Sequence, residues 1–374
     1  MLAMDGVWGQ DRAIGLLQAL LASGRVHHAY LFHGPVGVGK FTTSLAFARV
    51  LLCHQRQTDL AGRIVACGAC ASCRLMEAKD PPTDDDQQPQ ALAWAHPDLH
   101  VVTKELARYN EDRSTRERKL MSIPVEVIRD ELIKPAYHAA QMGHGKVFIV
   151  DEAELLNISS QNAMLKTLEE PPTGTTIILV TSIQDRLLPT IRSRCQRIAF
   201  VPLPDSVVSR WLQGHAADLE PSQHQWVVRF AQGSLGRARL AVDFGLFEWG
   251  EAVLPSLESF TKGRPDAQMG AKLAQRIDEL AQAWVKRHPD ASKEAANKMA
   301  AGLMEALIAE EARHRLSELA QQCDPADPIA SEAVLEPWLG VIDAVEEAHR
   351  LIRANANVAL VCDHLAATMA RRLA

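Results

Sequence analysis

A phosphate-binding loop constrains this chain more than any other feature of its sequence. Residues 31–43 read LFHGPVGVGKFTT, and Gly34, Gly39 and Lys40 fit the pattern G-x-x-x-x-G-K-[ST] up to its last position. The residues before the loop predict a short apolar strand, and those after Lys40 predict a helix. Although glycine turns also arise by chance, a strand, a glycine loop and a helix in this order are the context that a nucleotide-binding loop needs.

The last position of the pattern departs from the rule. A Ser or Thr hydroxyl there binds the Mg²⁺ that accompanies the nucleotide, whereas this chain has Phe41. Thr42 does not substitute, because one step along a helix turns a side chain by about 100°. The loop is therefore predicted to be degenerate, although its amides and lysine are still donors for a phosphate. Its candidate nucleotide-binding residues are Gly34, Gly37, Gly39, Lys40, Phe41 and Thr42.

A second candidate nucleotide element is the segment FIVDEAE at 148–154. In P-loop ATPases an acid after a neighbouring strand holds Mg²⁺, and the next acid polarises the attacking water. Asp151 and Glu152 stand in those places. Acids after a strand also commonly cap the next helix. Asp151 and Glu152 therefore indicate a nucleotide site mainly because the chain also has the phosphate-binding loop.

The order of the predicted elements indicates an α/β fold. Buried strands are predicted near 146–156 and 175–182, and they alternate with helices, which is typical of a parallel sheet with helices on both faces. After residue 204 the patterns predict helices only. We expect domains at 1–204, 205–247 and 248–374. Residues 80–98 are rich in Pro, Asp and Gln and predict an acidic loop.

Four of the seven cysteines lie close together in the sequence. The spacing C-x13-C-x2-C-x2-C, formed by Cys53, Cys67, Cys70 and Cys73, supplies the four thiolates of a closed structural zinc site. A set of buried free cysteines is the alternative. With four protein ligands no coordination position stays open, so a bound zinc ion would be structural and not catalytic.

Charge and hydropathy exclude some classes of function. The formal net charge is −6, which argues against tight, autonomous, nonspecific DNA binding. No apolar run approaches the ~18 residues of a membrane span, and the N-terminus lacks the pattern of a secretory signal. We therefore expect a cytoplasmic protein without a membrane partner.

Taken together, these elements resemble the bacterial clamp-loader ATPases of the AAA+ class. The order of the matching features is the loop, cysteines inserted after its helix, the DEAE box, NAMLKTLEEPP (162–172), a strand ending in Thr181-Ser182, and Ser193-Arg194-Cys195. The resemblance covers about residues 8–245. It implies a P-loop AAA+ domain with an inserted zinc module (about 53–73), a small helical lid domain and an all-α collar domain for oligomerisation.

Within this family the details resemble the nonmotor delta-prime group more than the motor subunits. Motor subunits keep an intact loop, and an arginine directly after Gly-Ser-Leu contacts the γ-phosphate. Here that place holds Gly236, and Arg237 comes one step later. The resemblance implies a chain without ATPase activity of its own that need not bind ATP and Mg²⁺. Asp151, Glu152, Thr181 and Arg237 would be remnants of the nucleotide site.

The resemblance also implies partners. The assembly would be a five-membered ring of gamma/tau motor subunits, a delta subunit and this chain, within the DNA polymerase III complex. It would use ATP to open a sliding clamp and close it around primer-template DNA during chromosomal replication. In that ring the nonmotor subunit is a stator, and Arg194 would be an arginine finger for the ATP of the adjacent motor subunit. No polymerase-binding extension is expected after the collar domain.

Two alternatives stay open. The chain could be an active motor ATPase of the same family, which turnover by the isolated protein would reveal. It could also be a zinc-containing nucleic-acid-binding module with a vestigial nucleotide fold. Salt-sensitive DNA binding by the isolated chain would reveal that second alternative.

Overall fold

The computed structural model describes residues 7–77, 96–110, 112, 115, 122–264, 266–287, 292–323 and 328–373. The chain divides into two compact units: Met1–Val208 with Gly233–Gly236, and Ser209–Gln232 with Arg237–Ala374. The acidic loop predicted at 80–98 lies outside the described residues as far as residue 95. Across the described ranges, no helix is both long and apolar enough to cross a bilayer.

A parallel sheet organises the first unit. The strands are β1 (Ala29–His33), β2 (Gln57–Thr58), β3 (Ile64–Val65), β4 (Leu99–Val102), β5 (Lys146–Val150), β6 (Thr175–Thr181) and β7 (Gln196–Ala199). Five of them form one sheet in the order β4-β5-β6-β1-β7, with every neighbouring pair parallel. Strands β2 and β3 form a separate antiparallel hairpin. Because β5 and β6 are buried along their whole length, they read as continuous apolar runs in the sequence.

Helices occupy most of the remaining described chain. They are α1 (Asp11–Ala22), α2 (Lys40–Leu52), α3 (Ala71–Leu75), α4 (Val125–Ile128), α5 (Lys134–Ala136), α6 (Ile158–Glu169), α7 (Pro189–Arg192), α8 (Asp205–His215), α9 (Pro221–Ala231), α10 (Leu235–Asp243), α11 (Leu246–Phe260), α12 (Met269–Arg287), α13 (Lys293–Gln322), α14 (Pro328–Arg353) and α15 (Val358–Leu373).

Two hydrophobic cores cover the two faces of the sheet. On one face Tyr30 and Phe32 of β1 lie in a core with Phe47 of α2. On the other face Leu31 lies in a core with Phe148 of β5. Successive side chains of a strand point to opposite faces, so β1 contributes to both cores. This double coverage fixes the register of the strands and therefore the positions of the loops that follow them.

The carboxyl ends of the parallel strands meet at one edge of the sheet. His33 at the end of β1 pairs with Thr181 at the end of β6, and Val102 of β4 pairs with Val150 of β5. The phosphate-binding loop follows β1 and leads into α2. Ligands of open α/β sheets bind at this edge, so the fold collects the candidate nucleotide residues there.

The described part of the second unit is helical. Helices α12 to α15 pack in a cyclic order, each against its two neighbours. Their contacts bury apolar side chains such as Leu273, Met304, Val341 and Leu365. An amphipathic helix needs a partner for its apolar stripe, and here each of these four helices covers the next.

The predicted fold class, a parallel sheet with flanking helices followed by a helical region, is confirmed. Several elements were not foreseen: β4, the β2–β3 hairpin, α11 and α15. Strand β4 has only four residues, too few for a clear pattern. A helical segment runs from Val125 to Ala136, with a π-helical turn at Arg129–Ile133. Pro135 lies inside this continuous run, two residues after the π-helical turn, and it has no N–H to donate to the preceding turn.

Candidate functional site

The phosphate-binding loop has the backbone that its glycines permit. Gly34, Gly37 and Gly39 have φ values of 146°, 75° and 99°, a region that other residues rarely adopt. A Cβ on Gly34 would lie 2.2 Å from the carbonyl oxygen of Phe200, and one on Gly37 would lie 2.3 Å from Oγ of Ser234. These two glycines are therefore required by close contacts as well as by conformation.

Lys40 is bound to its own loop. Its Nζ donates to the carbonyl oxygens of Gly34 at 2.7 Å and Pro35 at 2.5 Å. The side chain is 7% exposed. Burial lowers its pKa, while the charges of Glu154 and Asp151 act in the opposite direction. The ammonium that would reach the phosphates of a nucleotide is thus occupied by carbonyls of the loop itself.

The positions after Lys40 offer no hydroxyl at the Mg²⁺ place. Phe41 is partly buried and packs against the core on the α2 face of the sheet. Thr42 is exposed. Thr43 is buried, and its hydroxyl donates to the carbonyl oxygen of Gly39 at 2.7 Å. The hydroxyl of Ser44 is also buried and donates to the carbonyl oxygen of Phe41 at 2.7 Å, so both buried hydroxyls of this turn satisfy backbone carbonyls.

Asp151 and Glu152 follow β5, as the sequence indicated, but they differ in environment. Burial, together with the charges of Glu152 and Glu154, raises the pKa of Asp151 to about 6, although the backbone N–H of Glu152 and the charge of Lys40 act in the opposite direction. Glu152 has the left-handed backbone φ 47°, ψ 45°, which is uncommon for a residue with a side chain. Its Oε2 accepts from Nζ of Lys104 at 2.5 Å. In this arrangement the second acid is paired with a lysine and does not stand free to polarise water.

A third acid, Glu154, joins the end of β6. Its Oε1 accepts from the backbone N–H of Ser182 at 3.2 Å and from the Ser182 hydroxyl. Although burial raises its pKa, these hydrogen bonds and one from Thr181 hold it below the ordinary value. Thr181 itself is 1% exposed, and its hydroxyl accepts from the N–H of Ile183 at 3.1 Å. The candidate residue Thr181 is therefore engaged inside the protein.

The segment Gly233–Gly236 lies against the phosphate-binding loop within the first unit. The hydroxyl of Ser234 donates to the carbonyl oxygen of Val36 at 3.0 Å. The N–H of Gly236 donates to the carbonyl oxygen of Gly37 at 2.9 Å. A Cβ at Gly236 would come within 2.8 Å of Cα of Gly37. Gly236 is the position at which motor subunits of the resembling family carry an arginine, and here its backbone packs directly on the backbone of Gly37.

Arg237 belongs to the second unit. Its Nη1 donates to Oε1 of Gln232 at 2.9 Å. Burial lowers its pKa, as does the nearby Arg313, while Glu310 raises it. The structure thus brings together the loop, Asp151, Glu152 and Thr181 at one edge of the sheet, and Arg237 interacts with residues of the helical unit.

Arg194 lies two residues after the end of α7 and is held by two contacts. Its Nη1 donates to the carbonyl oxygen of Thr190 at 2.9 Å, and its Nη2 forms an ion pair with Oε1 of Glu169. The side chain is 34% exposed. The side chain of the neighbouring Cys195 is buried and holds the backbone at this position. The guanidinium of Arg194 is partly exposed at the surface.

The four clustered cysteines converge in space. The sulfur atoms of Cys53, Cys67, Cys70 and Cys73 all lie within 4.8 Å of one another, so the cluster could hold a metal ion. Sγ of Cys67 and Sγ of Cys73 are 3.9 Å apart. Tetrahedral coordination with Zn–S bonds of about 2.3 Å requires sulfur atoms about 3.8 Å apart, so the donor set fits such an ion.

Backbone amides around the cluster favour thiolates. The N–H of Cys67 points to Sγ of Cys53, that of Cys70 to Sγ of Cys67, and that of Cys73 to Sγ of Cys70, at 3.3–3.4 Å. Burial opposes ionisation of Cys70, yet amides and neighbouring thiols bring its pKa down to about 6. Burial raises the pKa of Cys73 to about 12. A buried thiol of this kind becomes a thiolate when a cation binds it.

The sequence did not single out several residues that hold the site. Lys104, Glu154, Ser234 and Glu169 each contact a candidate residue through tertiary structure. Ser182 in turn binds Glu154. The third acid of the DEAE box was visible in the sequence. The other contacts link positions that no local pattern connects.

A family model and several known proteins match this chain. The family model described as DNA polymerase III, delta subunit, matches residues 9–204. The delta-prime subunit of Pseudomonas aeruginosa is 36% identical over 197 residues, which cover 52% of this chain and 49% of that protein. The chain spans about half the length of the curated delta-prime relatives that head the comparison.

More distant similarities extend to related subunits. A gamma/tau subunit of DNA polymerase III from Mycobacterium tuberculosis is 31% identical over 232 residues, 61% of this chain and 34% of that protein. A gamma subunit-related protein of Thermotoga maritima, known from its crystal structure, superimposes with a TM-score of 0.40 and 16% identity over 96% of this chain and 99% of that one. From the match over residues 9–204, the chain belongs to the DNA polymerase III delta subunit family, and within it the chain is similar to the delta-prime subunits.

Proposed function

We propose that this chain is a nonmotor, delta-prime-type subunit of a DNA polymerase III clamp loader. The observation that carries the proposal is the state of Lys40, whose ammonium binds the carbonyl oxygens of Gly34 and Pro35 in its own loop. Phe41 occupies the Mg²⁺-ligand place, and Glu152 is paired with Lys104. A chain built in this way supports ring assembly and not turnover of its own ATP.

The proposed partners are gamma/tau motor subunits and a delta subunit in a five-membered ring. The ring would use ATP to open a sliding clamp and close it around primer-template DNA. In this proposal the chain is a rigid stator, and the helical bundle of α12 to α15 is the collar that holds neighbouring subunits. Similarity to the delta-prime and gamma/tau subunits supports these partners.

Arg194 is the residue that we assign to chemistry, at the ATP of the adjacent motor subunit. Phosphoryl transfer builds negative charge on the γ-phosphoryl oxygens, and an arginine supplied in trans stabilises this charge. The guanidinium is permanently charged, and its planar fork can reach two oxygens at once. Its partial exposure at the end of α7 supports this role, since a finger must reach beyond its own chain.

The four cysteines are proposed to hold one structural zinc ion. Bound there, zinc would join α2, which ends at Leu52, to the hairpin and α3 of the inserted segment. Thiolate ligation contributes to folding free energy. Because the four sulfur ligands complete the tetrahedral set, we assign no catalytic step to the metal.

The test is a reconstituted complex carrying Arg194→Ala. DNA- and clamp-stimulated ATP hydrolysis should fall by about 10³-fold, and clamp loading should fall with it. Assembly and zinc content should be unchanged, because an exposed charge contributes little to stability. Arg186→Ala, a substitution of an exposed arginine just before α7, is the matched control and should leave the rate unchanged. Wild-type hydrolysis by the Arg194→Ala complex would contradict the proposed function.

An active motor subunit is the second candidate. The gamma/tau similarity and the retention of Asp151 and Glu152 favour it. ATP turnover by the isolated chain that depends on Lys40 would establish the second candidate in place of the first.

A further inference from the structure

We propose that Glu169 is a positioning residue that orients Arg194 toward the neighbouring ATP site. The inference rests on the proposed function of Arg194 and deepens it. Its basis is the ion pair between Oε1 of Glu169 and Nη2 of Arg194, which joins the last turn of α6 to the second residue after α7. Nothing in the sequence pattern links these two positions.

The location of Glu169 calls for an explanation. It is the last residue of α6, and Glu170 follows it as the C-cap. The C-terminal end of a helix carries a partial negative charge, so an acid there is unfavourable by itself. The guanidinium of Arg194 supplies the compensating positive charge. Glu169 thus occupies a position that is electrostatically unfavourable for an acid, and its ion-pair partner is Arg194. We take this as an indication that Glu169 is there to orient Arg194.

Two contacts from different elements define the direction of the guanidinium. Nη1 donates to the carbonyl oxygen of Thr190 in α7, and Nη2 binds Glu169 at the end of α6. A guanidinium has five N–H donors in one plane, so two anchors fix the plane and leave donors for an incoming oxygen. Backbone rigidity adds to this, since the N–H of Arg194 donates to the carbonyl oxygen of Ile191 at 3.1 Å.

Stability alone gives this ion pair little reason to exist. Glu169 is 47% exposed and Arg194 is 34% exposed, and solvent-exposed ion pairs of this kind contribute little to folding stability. The orientation of a catalytic group has a larger effect on the reaction rate, because a group misplaced by about 1 Å can lower the rate by up to about 10²-fold. The pair is therefore better explained by preorganisation of the finger before it meets the phosphates.

The experiment uses complexes reconstituted with the motor and delta subunits and with clamp and primed DNA. The variants of this chain are Glu169→Gln, Arg194→Ala, the double variant, and Glu170→Gln as the matched control. Glu170→Gln removes the same charge one residue later, at the C-cap. The measurements are kcat and KM for stimulated ATP hydrolysis, with complex mass and thermal unfolding recorded for each variant.

If Glu169 positions the finger, Glu169→Gln lowers kcat about tenfold with little change in KM. The control keeps the wild-type kcat, and the double variant is no slower than Arg194→Ala. Assembly and thermal unfolding stay unchanged throughout, which a merely structural role for Glu169 would not give.

The outcomes separate the inference from the proposed function. Wild-type hydrolysis with Arg194→Ala would overturn the finger and the positioning role together. A slow Arg194→Ala complex combined with a wild-type Glu169→Gln complex would overturn only the positioning role. A further loss of rate when Glu169→Gln is added to Arg194→Ala would also overturn it, because Glu169 would then act independently of the arginine.

Discussion

The N–H of Gly236 donates to the carbonyl oxygen of Gly37 at 2.9 Å, and a Cβ on Gly236 would stand 2.8 Å from Cα of Gly37. This contact joins the segment Gly233–Gly236 to the phosphate-binding loop within the first unit. The hydroxyl of Ser234 adds a second bond, to the carbonyl oxygen of Val36. The loop is thus braced by backbone contacts at the place where an arginine side chain would need room.

Gly236→Ala is expected to destabilise the protein. The added methyl group meets backbone that cannot rotate away, and overpacking of this kind costs about 1–3 kcal/mol. Urea unfolding measures the change. Gly15→Ala is the matched control: Gly15 lies inside α1 with open space around its Cβ position, and replacing a helical glycine there should stabilise by about 0.5–1 kcal/mol. Equal effects of the two substitutions would contradict the close approach at Gly236.

The isolated chain should hydrolyse ATP at no more than background rate. Lys40 is bound to carbonyls of its own loop, and Phe41 offers no ligand for Mg²⁺. We therefore expect Lys40→Ala to leave the measured rate unchanged. Phe41→Thr should also leave it at background, because Glu152 stays paired with Lys104. Steady phosphate release that Lys40→Ala abolishes would instead show an active motor site.

Purified, reduced protein should contain one zinc ion per chain. Cys70→Ser should lower the zinc content and the thermal stability of the protein together, since the metal contributes folding free energy. Cys323→Ser, at a cysteine outside the cluster, serves as the control and should keep the full zinc content. Metal analysis beside thermal unfolding measures both effects. Protein that folds normally without bound metal would refute the zinc assignment.

Asp151→Asn should stabilise the protein at neutral pH. Burial raises the pKa of Asp151 in the folded state from 3.8 to about 6. Between these values the folded chain holds more protons than the unfolded chain, so the free energy of unfolding falls as the pH rises. The neutral amide avoids this loss, which amounts to about 1–3 kcal/mol.

Urea unfolding at pH 4 and pH 7 tests the expectation for Asp151. The advantage of Asp151→Asn should be present at pH 7 and nearly absent at pH 4. Asp218→Asn, at an exposed position, is the control and should behave like the wild type at both values. If Asp151→Asn stabilised the protein equally at pH 4, the charge of the Asp151 carboxylate would not be the cause, and the expectation would be wrong.

Much of this protein was determined by its sequence alone. The alternation of strands and helices predicted a parallel sheet, because strands buried on both faces must read as continuous apolar runs. The glycines of 34–39 predicted a phosphate-binding loop between a strand and a helix, and β1 and α2 do flank it. The spacing of Cys53, Cys67, Cys70 and Cys73 predicted a cluster, and their sulfur atoms do converge. In each case the information lies within a few turns of chain, where geometry follows directly from spacing.

Only the tertiary structure decided which of these groups are engaged. Lys40 turns back onto its loop, Lys104 pairs with Glu152, and Glu169 pairs with Arg194. Two of these three partnerships join elements separated by strands and helices, and the third depends on the fold of the loop. Side-chain contacts of this kind follow from how the sheet brings its loops to one edge. Residue types and spacings specify the candidates, but packing determines which donor meets which acceptor.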